Sequence, residues 1–228
     1  MTCIDVGCGG GDVSRELARR VGAGGRVVGL DMDTAQLEIV RAEAAAQNIV
    51  NIDYRLADVN HPPRDLGLFD FVYTRFLLCH LTQPAKVLSW MVSCLKPGAI
   101  LAIEDCDFTG HFCHPPLPAF ERYVALCGEV MRRRGGDPDI GLKLPQMLAR
   151  HGLSIGGIAV AQPSDIDGDV KLLNALTMQN VVDAILSENL ATKQEVVQIV
   201  DTLNTGIHDA GTFASVTRIV QVWGRRAM

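Results

Sequence analysis

A glycine-rich turn stands near the amino terminus of the chain. Gly7, Gly9 and Gly11 alternate with other residues, and Asp5 lies two positions before the first glycine. Glycine adopts backbone conformations that a Cβ would block, and it lets a ligand approach the main chain closely. A strand-like segment precedes the turn and a helical pattern follows it, so unpaired N–H groups of a helix start lie behind the loop. The pattern predicts a ligand-binding loop between a strand and a helix.

The glycine spacing differs from that of a dinucleotide-binding loop. The third glycine of that fingerprint would fall at the position of Asp12. The chain also has no recognisable Tyr-x-x-x-Lys pair, so a nicotinamide oxidoreductase is disfavoured. An acidic loop suits a cationic ligand better than a pyrophosphate.

Carboxylates end the next two predicted strands. Asp31 ends the second strand and Asp58 ends the third. An acid at the end of a second strand can accept both hydroxyls of a ribose. Helix capping is the alternative for Asp31, but Asp33 is better placed to cap, with Gln36 at the capping-box position. For Asp58 the alternative is a turn aspartate.

Together these features resemble the first motif of class I S-adenosylmethionine-dependent methyltransferases, an acidic residue followed by G-x-G-x-G. The resemblance, closest to small-molecule enzymes of methyltransferase type 11/25, continues through residues 69–81 and 95–105 and loosely to 218–224. It implies an α/β, Rossmann-like methyltransferase fold with a mostly parallel seven-stranded sheet, helices on both faces and helical insertions. It also implies S-adenosyl-L-methionine as cofactor and S-adenosyl-L-homocysteine as product.

The resemblance assigns cofactor contacts to particular residues of this chain. Asp31 would bind the ribose, Met32 would pack on the adenine, Asp58 would accept from the adenine amino group, and the Val59 N–H would donate to the ring. The predicted cofactor-binding residues are Asp5, Gly7, Cys8, Gly9, Asp31, Met32, Gln36, Ala57, Asp58, Val59, Thr74 and Arg75.

In-line methyl transfer depends mainly on alignment and on the exclusion of water, and it needs a general base only if the accepting atom must lose a proton. His80, Glu104 and Asp105 are the catalytic candidates because they follow strands whose ends should face the site. Each has a structural alternative: a hydrogen bond for His80, and a stabilised turn for Glu104 and Asp105.

A second group of polar residues follows the fifth predicted strand. Asp107, His111 and His114 lie within plausible range of the site, and with Cys113 they are metal-type ligands. Their spacing matches no usual structural zinc pattern, so we expect no metal. Cys8 and Cys79 are interpreted as small apolar residues near the pocket.

Alternating strand-like and helix-like segments predict a parallel sheet covered on both faces. Strands are predicted at 2–6, 26–30, 52–57, 69–73, 99–103, 154–160 and 213–223. In the second half of the chain, helices are predicted at about 119–134, at 144–150 and twice within 169–205. We expect a single domain, 1–228, with core segments 1–106, 152–164 and 212–228 and helical insertions at about 107–151 and 165–211.

The overall composition limits the classes of partner that the chain is expected to bind. The 228 residues are 48% hydrophobic and 21% charged with a net charge of −5, which argues against nucleic acid. The basic run Arg132–Arg134 is interpreted as a helix end. Seven cysteines suit a reducing compartment, and no long apolar run or signal peptide is evident. We expect a cytoplasmic protein that acts on a small-molecule methyl acceptor away from membranes, with a homodimer as one option.

Two further expectations stay open. The first strand begins almost at Met1, whereas relatives usually carry upstream helices over the cofactor. Either the chain starts late or another element supplies the lid, and we expect a more open site and weaker cofactor binding. The alternatives to a small-molecule methyltransferase are one acting on protein or RNA, and a non-catalytic S-adenosylmethionine-binding protein.

Overall fold

The computed structural model describes residues 1–63 and 65–228 of the chain. The first half alternates strands and helices, as predicted, in the order β1 (Thr2–Val6), α1 (Asp12–Val21), β2 (Arg26–Asp31), α2 (Thr34–Ala46), β3 (Ile52–Leu56), β4 (Phe69–Arg75), α3 (Pro84–Ser93) and β5 (Leu95–Asp107). The second half adds β6 (Cys113–His114), α4 (Pro118–Arg133), α5 (Leu144–Arg150), β7 (Ser154–Ala161), β8 (Ser164–Asp165), α6 (Asp169–Ser187), α7 (Lys193–Thr205), β9 (Phe213–Ser215) and β10 (Arg218–Arg225).

Local signals explain where two of the helices start. The Asp33 side chain accepts a hydrogen bond from the Gln36 N–H (3.1 Å) and so caps α2. Pro84 occupies the first turn of α3, where its missing N–H has no intrahelical partner to lose.

Seven strands form the main sheet, in the spatial order β3-β2-β1-β4-β5-β10-β7. Strands β1 to β5 pair in parallel, and β10 runs antiparallel to both of its neighbours. This confirms the predicted mostly parallel seven-stranded sheet. Because β1 to β5 run in one direction, their carboxyl ends meet along one edge, which we call the carboxyl edge.

Helices cover both faces of this sheet because strand side chains alternate between them. On one face Cys3 of β1 packs with Ala18 of α1. On the other face Ile4 belongs to the main core, together with Met91 of α3 and Leu148 of α5. The expected helices on both faces are therefore confirmed.

A second unit, the helical cap, comprises α4, α6, α7 and a three-stranded sheet of order β6-β9-β8. It has its own buried core, which includes Phe120, Tyr123, Met178 and Ile199. Phe108, just after β5, packs against both this core and the main core. The cap therefore adjoins the carboxyl edge of the main sheet.

The structure corrects the predicted strand at 213–223. That segment forms two strands: β9 joins the small sheet, and β10 closes the main sheet next to β5 and β7. Residues 216–217 lie in neither strand. A run of alternating polar and apolar residues cannot show that its two halves pair with different sheets, because each half satisfies a strand pattern separately.

Two smaller boundaries also differ. Strand β5 begins at the fully buried Leu95, four residues before the predicted strand at 99–103. Helix α5 falls within the predicted insertion at 107–151, yet it packs against β7 and β10 of the main sheet. No helix in the described part of the chain combines the length and apolar character that crossing a bilayer requires.

Candidate active site

The glycine loop lies at the carboxyl edge, between β1 and α1. Gly7, Gly9 and Gly11 have φ angles of +72°, +46° and +67°, a region that favours glycine. The N–H groups of Gly7 and Cys8 both donate to the Leu30 carbonyl (2.8 Å each), which ties the loop to β2. No heavy atom outside its immediate chain neighbours lies within 4 Å of the place where a Cβ on Gly9 would sit. The loop is therefore open to a ligand at Gly9.

Asp31 connects this loop to the next strand end. One oxygen of its carboxylate accepts the Gly9 N–H (2.8 Å), and the other accepts the Asp33 N–H (3.0 Å). The Asp31 carbonyl in turn accepts the Ala57 N–H (2.8 Å), which brings the end of β3 alongside. The structure thus places Gly9, Asp31 and Ala57 next to one another along the carboxyl edge.

Asp58 follows on the same edge. Its carboxylate accepts hydrogen bonds from the Asn60 N–H and Nδ2 and from His61 Nδ1, each at 2.9 Å. These bonds, with that from His61 the strongest, hold the pKa of Asp58 below its ordinary value. Its neighbours Ala57 and Val59 are buried in the main core. Asp58 is therefore an ionised acceptor at the surface beside buried apolar residues.

Asp5 lies beneath the loop and does not reach its surface. It is 2% exposed and accepts a hydrogen bond from the Ser14 hydroxyl (2.6 Å). Burial raises the pKa of Asp5 to about 6. Asp5 is predicted to bind cofactor, but in this structure it acts on the loop from below. Ser14 is a partner that the sequence interpretation missed.

Thr74 and Arg75 support the loop from β4. The buried Thr74 hydroxyl donates to the Val6 carbonyl (2.8 Å), and the Arg75 guanidinium pairs with Asp12 in the first turn of α1 (2.8 Å). Their side chains thus face the protein, which leaves the backbone of this segment for a ligand. The cofactor contact of Thr74 and Arg75 stays a prediction. Leu77 also contacts the loop, because a Cβ on Gly7 would lie 3.2 Å from its Cδ1. Leu77 is a further residue that sequence reasoning did not single out.

Met32 and Gln36 flank the strand end of Asp31. Met32 is 71% exposed, so its side chain is free to cover an apolar surface. Gln36 lies next to the glycine loop, with its Nε2 3.9 Å from the Cβ position of Gly10. Cys8 is 6% exposed and packs in a small apolar cluster with Leu37. The surroundings of these residues are compatible with their predicted positions around a ligand.

The three catalytic candidates have different surroundings. His80 is exposed at the end of a single helical turn, 78–80. Glu104 lies opposite Arg75 of β4 and Gln221 of β10 in the sheet. Asp105, the next residue, points to the opposite face of β5. The structure therefore does not bring the three together.

Asp105 has a structural role. Its carboxylate is fully buried and accepts the N–H groups of Cys79 (3.2 Å) and Cys106 (2.9 Å). Burial raises the pKa of Asp105. These bonds fix the turn that carries His80. The Asp105 carboxylate therefore supports this turn and does not face a substrate.

Potential metal ligands after β5 have other partners. Asp107 pairs with Arg218 (3.2 Å) and accepts from the Thr109 hydroxyl (2.6 Å). Within the described ranges, Cys79, Asp105 and Cys106 are the one group whose ligand atoms converge, all within 4.8 Å. Both oxygens of Asp105 already accept backbone N–H groups, so this group is interpreted as buried packing.

Residues 3–98 match the family model described as a methyltransferase domain. Over these residues the chain is similar to methyltransferase domains. The matched range contains β1 to β4, the glycine loop, Asp31 and Asp58. The residues that form the helical cap lie outside it.

Relatives of the methyltransferase domain act in quinone biosynthesis, according to their names. The chain is similar to the ubiquinone biosynthesis O-methyltransferase of Acinetobacter baylyi, with 34% identity over 96 residues, 42% of this chain and 39% of that protein. It is also similar to the ubiquinone/menaquinone biosynthesis C-methyltransferase UbiE of Idiomarina loihiensis, with 36% identity over 106 residues, 46% of this chain and 42% of that protein. The chain thus spans about two fifths of the length of these curated relatives.

A solved structure supports the fold over the whole chain. The crystal structure of a putative methyltransferase from Bacillus halodurans superimposes with a TM-score of 0.66 at 17% identity, covering 100% of this chain and 93% of that one. The main sheet, its helices and the cap together therefore have the Rossmann-like methyltransferase fold of that structure.

The residues at the carboxyl edge fit S-adenosylmethionine. An open Gly9 backbone admits a close ligand, and the carboxylates of Asp31 and Asp58 provide acceptors for hydroxyl and amino groups. Residues 7–11 include no basic side chain that would suit a pyrophosphate, and the carboxylate of Asp31 lies against the loop at Gly9. This donor set agrees with a ligand that carries an ammonium and a sulfonium.

Proposed function

We propose that this protein transfers the methyl group of S-adenosylmethionine to a small-molecule acceptor. The observation that carries the proposal is the bond between the Asp31 carboxylate and the Gly9 N–H (2.8 Å). It joins an open glycine loop to an acceptor on the neighbouring strand end, with Asp58 beyond it. Such a rim can hold a nucleoside at one end and a charged amino acid at the other.

Each part of the rim has a task in this proposal. Asp31 keeps free lone pairs that can accept from ribose hydroxyls while it holds Gly9. Asp58 accepts from the adenine amino group, and the exposed Met32 covers the adenine ring. When bound, the cofactor supplies a methyl group on a positively charged sulfur. The chain must then align the acceptor with that methyl group and exclude water.

Two observations support a small-molecule acceptor. The net charge of −5 disfavours nucleic acid, whose binding depends on basic groups. Two relatives are named as methyltransferases of quinone biosynthesis, an O-methyltransferase in one case and a C-methyltransferase in the other. The cap, which adjoins the carboxyl edge, supplies the walls of an acceptor pocket in this proposal.

The experiment compares two glycines that both have a positive φ angle. Gly9 and Gly22 both have positive φ, and a Cβ on either meets no other residue within 4 Å. Gly9→Ala should lower the free energy of unfolding by about 1 kcal/mol, the cost of a left-handed backbone. Gly22→Ala should lower it by about 1–3 kcal/mol, because the Gly22 backbone (φ 67°, ψ −172°) lies in a region nearly restricted to glycine. Only Gly9→Ala should weaken S-adenosylhomocysteine binding, by at least about 100-fold (~2.7 kcal/mol), because its methyl group occupies the ligand's place.

Isothermal titration calorimetry measures the affinity, and urea unfolding measures stability. Binding by Gly9→Ala as tight as that of the wild type would contradict the proposed site. Stabilisation of the wild type by NAD rather than by S-adenosylhomocysteine would contradict the cofactor.

A further inference from the structure

Phe76 has a backbone conformation that phenylalanine rarely adopts. It follows β4 directly, at the carboxyl edge, and its φ angle is +52°. In the described part of the chain, the other non-glycine residues with positive φ are Asn48 and Asn189, and asparagine tolerates this region far better than a bulky residue does. The Phe76 backbone is therefore strained, and strain of this kind is concentrated at functional sites.

The neighbours of Phe76 hold it beside the glycine loop. Its N–H donates to the Glu104 carbonyl of β5 (3.0 Å). Leu77, the next residue, packs on the loop, because a Cβ on Gly7 would lie 3.2 Å from Leu77 Cδ1. Strand β4 also pairs with β1, whose end is the start of the loop. Phe76 therefore lies on the β4 side of the loop, one residue from a direct contact with it.

The Phe76 ring is not part of a core. It is 37% exposed, and among the described residues it joins neither a hydrophobic cluster nor an aromatic pair. By contrast, Phe71 of the same strand packs with the cluster of Cys3 and lies 6.3 Å from the Tyr73 ring, centroid to centroid. Core packing does not explain a bulky aromatic residue at a strained position, whereas contact with a ligand does.

The strand order places Phe76 at one end of the proposed cofactor site. Along the carboxyl edge the strands follow the order β3, β2, β1 and β4, so Asp58, Asp31, the glycine loop and Phe76 succeed one another. In the proposed function Asp58 accepts from the adenine and Asp31 from the ribose. The sulfur and the amino acid of the cofactor then belong to the glycine loop and to the end of β4, where Phe76 lies.

The carboxylates nearest this end of the site already have partners. Asp12 pairs with the Arg75 guanidinium (2.8 Å), and Asp5 is 2% exposed beneath the loop. The face of an aromatic ring attracts a cation without an ion pair, and the attraction is stronger where water is excluded. The exposed ring of Phe76 is thus a suitable host for a positively charged sulfur.

We propose that the Phe76 ring lies against the sulfonium of S-adenosylmethionine and makes the site prefer this cation to the neutral product, S-adenosylhomocysteine. The inference rests on the proposed function. Methyl transfer converts the sulfonium into an uncharged thioether, so the attraction to the ring is lost with the charge and the product leaves more readily. Phe76 is then a specificity-determining residue that limits product inhibition.

Isothermal titration calorimetry without an acceptor tests this preference, with S-adenosylmethionine and S-adenosylhomocysteine as the two ligands. Phe76→Leu keeps an apolar side chain but removes the aromatic face. It should weaken binding of S-adenosylmethionine about tenfold (~1.4 kcal/mol) and binding of S-adenosylhomocysteine less than about twofold. Phe213→Leu, at a cap phenylalanine of similar exposure (40%), is the matched control and should leave both affinities unchanged. Equal losses for the two ligands in Phe76→Leu, or no loss for either, would overturn the inference.

Urea unfolding tests the strain separately from binding. Phe76→Asn places a tolerant residue at the positive φ, whereas Phe213→Asn relieves no such strain, because Phe213 lies in β9. The urea midpoint should therefore fall less in Phe76→Asn than in Phe213→Asn. A larger fall in Phe76→Asn would show that the ring serves packing, and it would count against a ligand contact. Failure of the wild type to bind either ligand would instead overturn the proposed function.

Discussion

The carboxyl edge and the helical cap are held together by different kinds of contact. At the carboxyl edge, main-chain groups dominate: Gly7 and Cys8 donate to the Leu30 carbonyl, and Gly9 donates to Asp31. In the cap, apolar side chains of three helices form a separate core around Phe120 and Met178. The family model covers the first region and not the cap.

Because their contacts differ, the two regions tolerate sequence change to different extents. A loop made by backbone geometry depends on a few glycines and carboxylates at fixed spacing, so its sequence signal is sharp. A core made by packing tolerates many apolar combinations of similar volume, so its sequence signal is diffuse. The glycine loop and its carboxylates are accordingly visible in the sequence, and the packing of the cap is not.

The largest expected effect is a loss of stability when Gly11, at the carboxyl edge, is replaced. Its φ is +67°, and a Cβ there would lie 2.7 Å from the Tyr54 hydroxyl and 3.1 Å from Val40 Cβ. Gly11→Ala should lower the free energy of unfolding by about 3–5 kcal/mol, through backbone strain and overpacking together. Urea unfolding measures the loss. A cost equal to that of Gly22→Ala, which has positive φ but open space, would show that the crowding is relieved at no cost.

The next effect tests whether the cap is as independent as its core suggests. The Lys171 ammonium is buried in the cap and donates to the carbonyls of Ile166 and Asp209 and to the Thr212 hydroxyl, at 2.6–2.8 Å. Lys171→Met should lower the free energy of unfolding by about 3 kcal/mol, because three acceptors lose a charged donor. The affinity for S-adenosylhomocysteine should stay unchanged.

Thermal unfolding and calorimetry on the same variant check this prediction, with Lys193→Met at an exposed helix start as control. A parallel loss of cofactor affinity in Lys171→Met would mean that the cap and the carboxyl edge are coupled.

The smallest effect concerns the charge beneath the loop. Burial raises the pKa of Asp5 to about 6, from about 3.8 in the unfolded chain. Between these values the native state keeps a proton that the unfolded state has lost, so this group lowers the free energy of unfolding as pH rises from about 4 to about 6. Its contribution, fully present below the unfolded pKa, is about 2–3 kcal/mol.

Asp5→Asn removes this titration while keeping an oxygen that accepts from Ser14. The fall in stability between pH 4 and pH 7, measured by urea unfolding, should therefore be smaller in Asp5→Asn than in the wild type. Equal slopes would show that Asp5 titrates near its ordinary pKa in the folded protein. The more exposed Asp33, an α2 cap, serves as the control in Asp33→Asn.

Features with a local cause could be predicted from the sequence. The spacing of Gly7, Gly9 and Gly11 defined a loop between a strand and a helix, and the structure gives all three positive φ. Asp33 marked the start of a helix through capping, and its side chain caps α2 in the structure. Each depends on residues within one turn of itself, so a linear pattern contains the information.

Contacts between residues that are distant in sequence could be seen in the tertiary structure alone. Adjacent residues of a strand face opposite sides, so Asp105 became a buried anchor for the turn at Cys79 while Glu104 turned to the other face. Residues 213–223 divided between two sheets because each half found a different partner strand. Pairing, register and packing join residues far apart in sequence, and no local pattern contains them.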